Sequence, residues 1–227
     1  MRFFLVCCLC GFICPAGAQV INQNFALQKR VIQSVLVLPP QVSVSRLGMK
    51  GGEGMTAESD EVADLLYAAV CRELASRGAA VSPIMITAAS KDEERYALAD
   101  IERKYNTIAV QMYKRPGKVK SGRYSMGDSV VAWPPAARAD TLVFVHAGAS
   151  VVTRNRQAFA WATLLPKFSQ MDIRLGFVDA RSGDIVAFGH IAPLGNATKK
   201  SEDALQRIVQ LALTDLPLPS RAKKAGH

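Results

Sequence analysis

Cysteine is almost missing from this chain. Five occur among 227 residues, and four of them (Cys7, Cys8, Cys10, Cys14) crowd the first fourteen positions. Only Cys71 follows, so no disulfide can staple the rest of the chain and no cysteine cluster can hold a metal. Histidine is scarce too, with His146, His190 and His227, and no H-E-x-x-H spacing occurs. After residue 18 the longest apolar stretch is Leu142 to Val152, interrupted by His146, Gly148 and Ser150. That is short of the ~20 residues of a membrane-spanning helix. Acidic side chains are absent from Arg103 to Gly127. Together these lacks exclude a disulfide scaffold, a motif-bearing zinc enzyme and a spanning helix after residue 18.

What is present begins at the amino terminus. Met1-Arg2 is a short basic start, and Phe3 to Ile13 is an apolar run too short to span a bilayer. Pro15 breaks it, and Ala16-Gly17-Ala18 offers small residues where a signal peptidase reads. The expectation is a signal peptide over 1–18, cut before Gln19, and a periplasmic or secreted protein. No small residue precedes Cys8, Cys10 or Cys14, so an outer-membrane lipoprotein is the lesser reading. Removing 18 of 227 residues leaves 209, enough for one sizeable core. The formal charge of +9 falls to +8 without Arg2. That sign favours anionic partners, and export removes nucleic acid from the candidates.

Ser34 to Leu38 is a β-branched apolar run stopped by Pro39-Pro40, which predicts a buried strand. Gln41 to Leu47 alternates apolar and polar residues, and Gly48 to Gly54 reads as a flexible loop. A helix follows, capped by Thr56 or Ser59, with Val62, Leu65, Leu66, Ala69, Val70 and Leu74 on one face and Gly78 as its stop. Ala79 to Ile86 predicts a short strand near an edge, since it holds Pro83. The second helix opens at Ser90-Lys91-Asp92-Glu93 and runs to Pro116-Gly117, with Leu98, Ile101, Tyr105, Ile108 and Met112 inward. Ser129 to Trp133 predicts a short helix stopped by Pro134-Pro135. Leu142 to Val145 predicts a central strand. Met171 to Phe177 and Ile185 to Ile191 predict a hairpin about the Asp179 to Asp184 turn. A last helix follows Thr198 or Ser201.

The order predicts an α/β fold: a mixed sheet of about five strands with helices packed on it, a late β-hairpin and a C-terminal helix. The expected organisation is a linker over 19–33, one α/β domain over 34–214, and a basic disordered tail over 215–227.

Two stretches carry a resemblance. Ala139 to Val145, followed by Gly176-Phe177-Val178-Asp179-Ala180-Arg181-Ser182-Gly183-Asp184-Ile185-Val186, resembles a strand and L-x-D-x-x-T-G-x-hydrophobic pattern. Ser182 stands at the Thr position. The pattern is seen in bacterial envelope proteins with an α/β domain like the N-terminal domain of TolB. That group includes the curli secretion lipoprotein CsgG and the LpoB-type activators of cell-wall synthases. The resemblance implies a non-catalytic assembly or adaptor domain and carries over no functional residues.

Candidate chemistry is weighed residue by residue. His146 and His190 could meet across a sheet and, with Asp140 or Asp172, hold a metal; separate strand histidines are the favoured reading. Cys71 lies beside the apolar face of the first helix and reads as a half-buried core residue. Asp179 and Asp184 flank a Ser-Gly turn, and turn formation explains them. No metal, cofactor or catalytic residue is therefore assigned.

Two interaction candidates stand higher. Between Arg103 and Gly127, seven basic residues (Arg103, Lys104, Lys114, Arg115, Lys118, Lys120, Arg123) interleave with Tyr105, Tyr113 and Tyr124. Such a stretch can grip phosphates or acidic polymers, and its counter-reading is a solvated loop with inward tyrosines. The second runs from Thr153 to Pro166 and joins Arg154 and Arg156 to Phe159 and Trp161, residue types that anchor interfaces. It suits protein docking or peripheral membrane contact. The expected function is an exported cell-envelope assembly, adaptor or interaction domain, with an envelope protein or an anionic surface as partner. The alternatives are a periplasmic hydrolase using Asp140, Asp179 or His190, and a small-molecule module with an apolar cavity under Gly48 to Gly54.

Overall fold

The computed structural model describes residues 17–48, 51–84, 91–152, 170–191 and 202–219. The chain opens with β1 (Gly17–Ile21) and a short α1 (Gln23–Leu27), then β2 (Ser34–Val37), β3 (Gln41–Gly48) and β4 (Gly51–Gly54). Helix α2 (Thr56–Ser76), β5 (Ala80–Pro83) and α3 (Asp92–Lys114) follow. Two short helices, α4 (Gly117–Lys120) and α5 (Asp128–Val131), and a 3-10 turn (Pro134–Arg138) lead to β6 (Thr141–Val152). The chain closes with β7 (Gln170–Asp179), β8 (Ile185–Ile191) and α6 (Glu202–Ala212).

The fold is α/β with a mixed, open sheet. Its main order is β1-β8-β7-β6-β2-β5, with β3 beside β6 and β4 beside β3. The sheet has eight strands, where about five were expected. Of the three additions, β1 is short and β4 is almost pure glycine, so neither shows a period, while β3 is the alternating stretch over Gln41 to Leu47, which joins the sheet as a strand of its own.

Strand β6 is the spine. Its start pairs in parallel with β2, and from His146 onward it pairs in parallel with β3. Pro39-Pro40 causes the change of partner, because prolines donate no backbone hydrogen bond. Leu38 N–H makes the last bond before them, to Val143 O at 3.0 Å. On the other side β6 pairs antiparallel with β7 from Thr141 to Ser150. The expected strand over Leu142 to Val145 is therefore the first part of a longer one, and His146 lies inside it, not at its end.

Alternation along the strands sorts two cores. Val35, Val37, Val143, Val145, Leu175 and Phe177 face α2 and α6, which add Leu66, Val70, Leu74 and Val209, with Leu213 just after α6. Leu36, Leu38, Leu142, Phe144, Ile185 and Phe188 face α3, which adds Leu98, Ile101, Tyr105 and Met112. The result is three layers, helix on sheet on helix. Beyond His146 the layers become unequal. On one side Val44, Val62 and Ala149 form a small cluster with Met55 and Met171. On the other, Ser43 and Gly148 are exposed and Ser45 and Ser150 are half-buried.

Several local expectations change. The Gly48 to Gly54 loop contains β4, an exposed strand paired with β3 through Ser45↔Gly54 and Arg46↔Glu53. Met55, not Thr56 or Ser59, occupies the N-cap of α2. Ser59 Oγ instead accepts from Val44 N at 2.9 Å and donates to Met55 O at 2.7 Å, tying β3 to the helix. Pro134-Pro135 begins a 3-10 turn as well as ending α5. The 19–33 stretch read as a linker holds most of β1 and all of α1, whose Phe25 is buried. Residues 215–219 lie against the domain: Asp215 N donates to Gln19 Oε1 at 2.9 Å, and Ile32 N donates to Pro217 O at 2.9 Å. The expected caps of the last helix, Thr198 and Ser201, lie outside the described residues, as does most of the leader.

Candidate functional site

Helix α3 positions the site. Asp92, Glu93 and Glu94 stand in its first turn and Lys114 in its last, as the helix dipole favours. The helix crosses the strands. Near its middle, Asn106 Nδ2 donates to Gln41 Oε1 at 2.8 Å on β3, and Gln41 Nε2 donates to Glu102 Oε2 at 2.8 Å. Burial raises the Glu102 carboxyl above the usual carboxylate range, while the Gln41 bond opposes this. Tyr105 stacks on Phe144 of β6, with centroids 4.0 Å apart. Tyr113 reaches β8, where its ring meets His190 edge-on at 4.9 Å.

Under α3 a polar row runs across the sheet. Gln41 is opposite His146, His146 opposite Arg174, and Arg174 opposite His190. Asp172 clasps the row from β7. Its Oδ1 lies 2.6 Å from His190 Nε2, and its Oδ2 accepts from Arg174. The Arg174 guanidinium sits over the Tyr113 ring at 5.1 Å. Burial, with the Arg174 charge beside it, lowers His146 to about 4 and keeps it neutral at ordinary pH.

This geometry gives the alternative of a metal site on His146 and His190 no support. His146 and His190 are two strands apart, about 10 Å. The strand between them presents a guanidinium, which repels a cation. Asp140 precedes the start of β6, six residues from His146, or roughly 20 Å along the strand. Among the described residues no group of three or more His, Cys, Asp or Glu side chains could hold a metal ion.

The hydrolase groups do not converge either. His190 is opposite Arg174, five residues from Asp179 along β7, or roughly 17 Å. Asp179 is buried and committed. It pairs with Arg30 at 2.6 Å and accepts from Arg181 N at 2.8 Å and Ser182 N at 3.2 Å. Asp140 accepts from Ser34 N at 3.2 Å and meets Arg181 at 3.4 Å. The turn reading of Asp179 is therefore correct. Cys71 is half-buried, and burial raises its thiol to about 11.

The basic stretch forms a corner where α3 ends. Lys114, Arg115, Lys120 and Arg123 are exposed and Lys118 is half-buried. None of the five makes an ion pair among the described residues. Beneath them Val119 and Tyr124 are buried, and Tyr124 Oη donates to Gln111 O at 3.1 Å. The tyrosines divide: Tyr105 and Tyr124 are core residues, and Tyr113 alone is exposed, at 52%. Arg103 and Lys104 lie earlier on α3 and line an open cleft of about 610 Å³ against Ser129 and Trp133. Arg154, Arg156, Phe159 and Trp161 lie outside the described residues.

The clasp of Asp172, Arg174 and His190 was missed in sequence. Its signal was the wet phase of the alternation in β7, but partners across strands need the register.

The fold and corner define a three-layer α/β domain with a cationic edge. No family model and no curated protein matches the chain. Among solved structures it is similar to the PelC dodecamer from Paraburkholderia phytofirmans. The identity is 8% over 90% of this chain and 98% of that one, with a TM-score of 0.42. It is also similar to a chain described as a neuraminyllactose-binding hemagglutinin homologue from Helicobacter pylori. There the identity is 10% over 80% of this chain and 79% of that one, with a TM-score of 0.37.

Proposed function

We propose that this protein is an exported, non-catalytic interaction domain of the bacterial cell envelope that docks on an anionic partner. The supporting observation is the corner of Lys114, Arg115, Lys118, Lys120 and Arg123, whose charges have no ionic partner among the described residues. Cations held on a folded edge without counter-charges raise the local concentration of anions and speed encounter. The leader reading supplies the compartment, and the likeness to TolB-type domains belongs to the same proposal. Arg154, Arg156, Phe159 and Trp161 are a second set of expected contacts in this reading.

The test is affinity capture of the tagged protein from solubilised envelope, with partners identified by mass spectrometry. Lys118→Gln with Lys120→Gln and Arg123→Gln should lose partners, as should Trp161→Ala with Arg156→Ala. Unchanged recovery from both variants refutes the docking role. The terminus is checked separately. Envelope-fraction protein should begin at Gln19, and intact Met1 on protein from the cytoplasmic fraction refutes export.

A further inference from the structure

We infer that the partner of the basic corner is an anionic phospholipid surface, with Leu27 as an apolar contact beside the cations. The inference rests on the docking reading above.

Three relationships carry it. First, Leu27 is 79% exposed, the most exposed of the large apolar side chains on the described surface. On a helix each residue turns by about 100°, so Leu27 stands opposite the buried Phe25 and on the flank of Asn24. That flank meets the basic turn: a β-carbon on Gly122 would lie 3.0 Å from Asn24 Nδ2 and 3.2 Å from Asn22 Oδ1. Gly122 sits between Lys120 and Arg123. An exposed leucine and the cations of α4 therefore share one edge, the composition that headgroups and the acyl boundary select.

Second, β1 runs along this edge. Its end at Ile21 leads into Asn22, beside Gly122. Its start holds Ala18 opposite His190, whose ring meets Tyr113 next to Lys114 and Arg115. The apolar run Phe3 to Ile13 precedes that start in sequence by three residues. Before cleavage, the segment bound for the bilayer thus joins the domain close to its basic helix end.

Third, no acid pairs with the five cations of the corner among the described residues. Arg30, on the same flank of the chain, is consumed by Asp179. Of the acids nearby, Asp184 stands opposite Ser125, Asp172 is taken by Arg174 and His190, and Asp215 lies against Gln19 of β1.

The experiment is co-sedimentation with vesicles. The protein is expressed from the complete sequence, purified as the cell leaves it, and its N-terminus read by mass spectrometry. Vesicles of phosphatidylcholine with about a third phosphatidylglycerol should bind it, and phosphatidylcholine alone should not. Each cation near the surface contributes about fivefold, so K118Q/K120Q/R123Q should lower the partition about a hundredfold. Leu27→Asn leaves the charge unchanged and should lower it about tenfold. Urea midpoints of the variants should match the parent, because these side chains carry little of the core. A polyglutamate column serves as the second arm. No vesicle binding with retention on polyglutamate overturns the lipid assignment and leaves the docking reading standing. Binding to neither overturns both. Vesicle binding insensitive to the triple variant also overturns the inference.

Discussion

Tyr105 lies over Gly176 so closely that a β-carbon on Gly176 would stand 1.7 Å from its hydroxyl oxygen and 2.3 Å from the ring carbon bearing it. The glycine is needed for this approach and not for its dihedral angles. Gly176→Ala should destabilise the fold by about 3 kcal/mol through overpacking. Tyr105→Phe should not rescue it, since the ring carbon still collides. Urea titration of the two single variants and the double variant checks this.

The same hydroxyl is buried with no hydrogen-bond partner among the described residues. Tyr105→Phe alone, in the parent chain, should therefore raise stability by about 1 kcal/mol. A loss of stability would mean that the hydroxyl has a partner in solution.

His146 predicts a pH dependence. Its folded pKa of about 4 lies below the ordinary value of 6.5, so the unfolded chain takes up the proton first. Stability from this group is intact above pH 6.5 and falls as pH drops from 6.5 to 4. The total loss is about 2 kcal/mol once partial solvent access is allowed for. Below pH 4 the loss stays constant. His146→Gln should flatten that window in a urea-midpoint profile against pH.

Cys71 should resist thiol reagents in the native state. A thiol raised to about 11 holds little thiolate at neutral pH. Ellman's reagent at pH 7 should react about a hundredfold slower with native than with urea-unfolded protein. Equal rates would place the thiol in open solvent.

Glu73 ties the two helices of one face together. It is buried, pairs with Arg77 Nε at 2.7 Å and accepts from Gln206 Nε2 at 3.1 Å. Arg77 in turn caps α6 by donating to Gln210 O and Leu213 O. Glu73→Ala strands both partners and should cost about 2 kcal/mol. Thermal melts followed by circular dichroism measure it.

The long helices were legible because a 3.6-residue period survives in α2 and α3, where Val62 to Leu74 and Leu98 to Met112 face the core. The hairpin was legible through strict alternation and the Asp179 turn. The second half of β6 was not, because Gly148 and Ser150 stand where an enclosed strand would carry apolar residues. They lie on the side that α3 leaves uncovered, which only the placement of that helix decides. β4 was illegible because glycine has no pattern. The basic corner was legible as composition. The inward turn of Tyr105 was legible from the helical period, but the gap at Gly176 that admits its ring, seventy-one positions away, was not. The Asp172, Arg174 and His190 clasp needed the pairing register, which no local pattern contains.

The double proline after β2 has a lasting consequence for how this molecule can change. It divides the spine strand into a foot wedged between helices and an arm that, among the described residues, is packed on one side. Substitutions at the foot must fit their neighbours. Ser43 and Gly148 on the arm are exposed, so exchanges there meet fewer steric demands and leave that strip freer to take on new side chains.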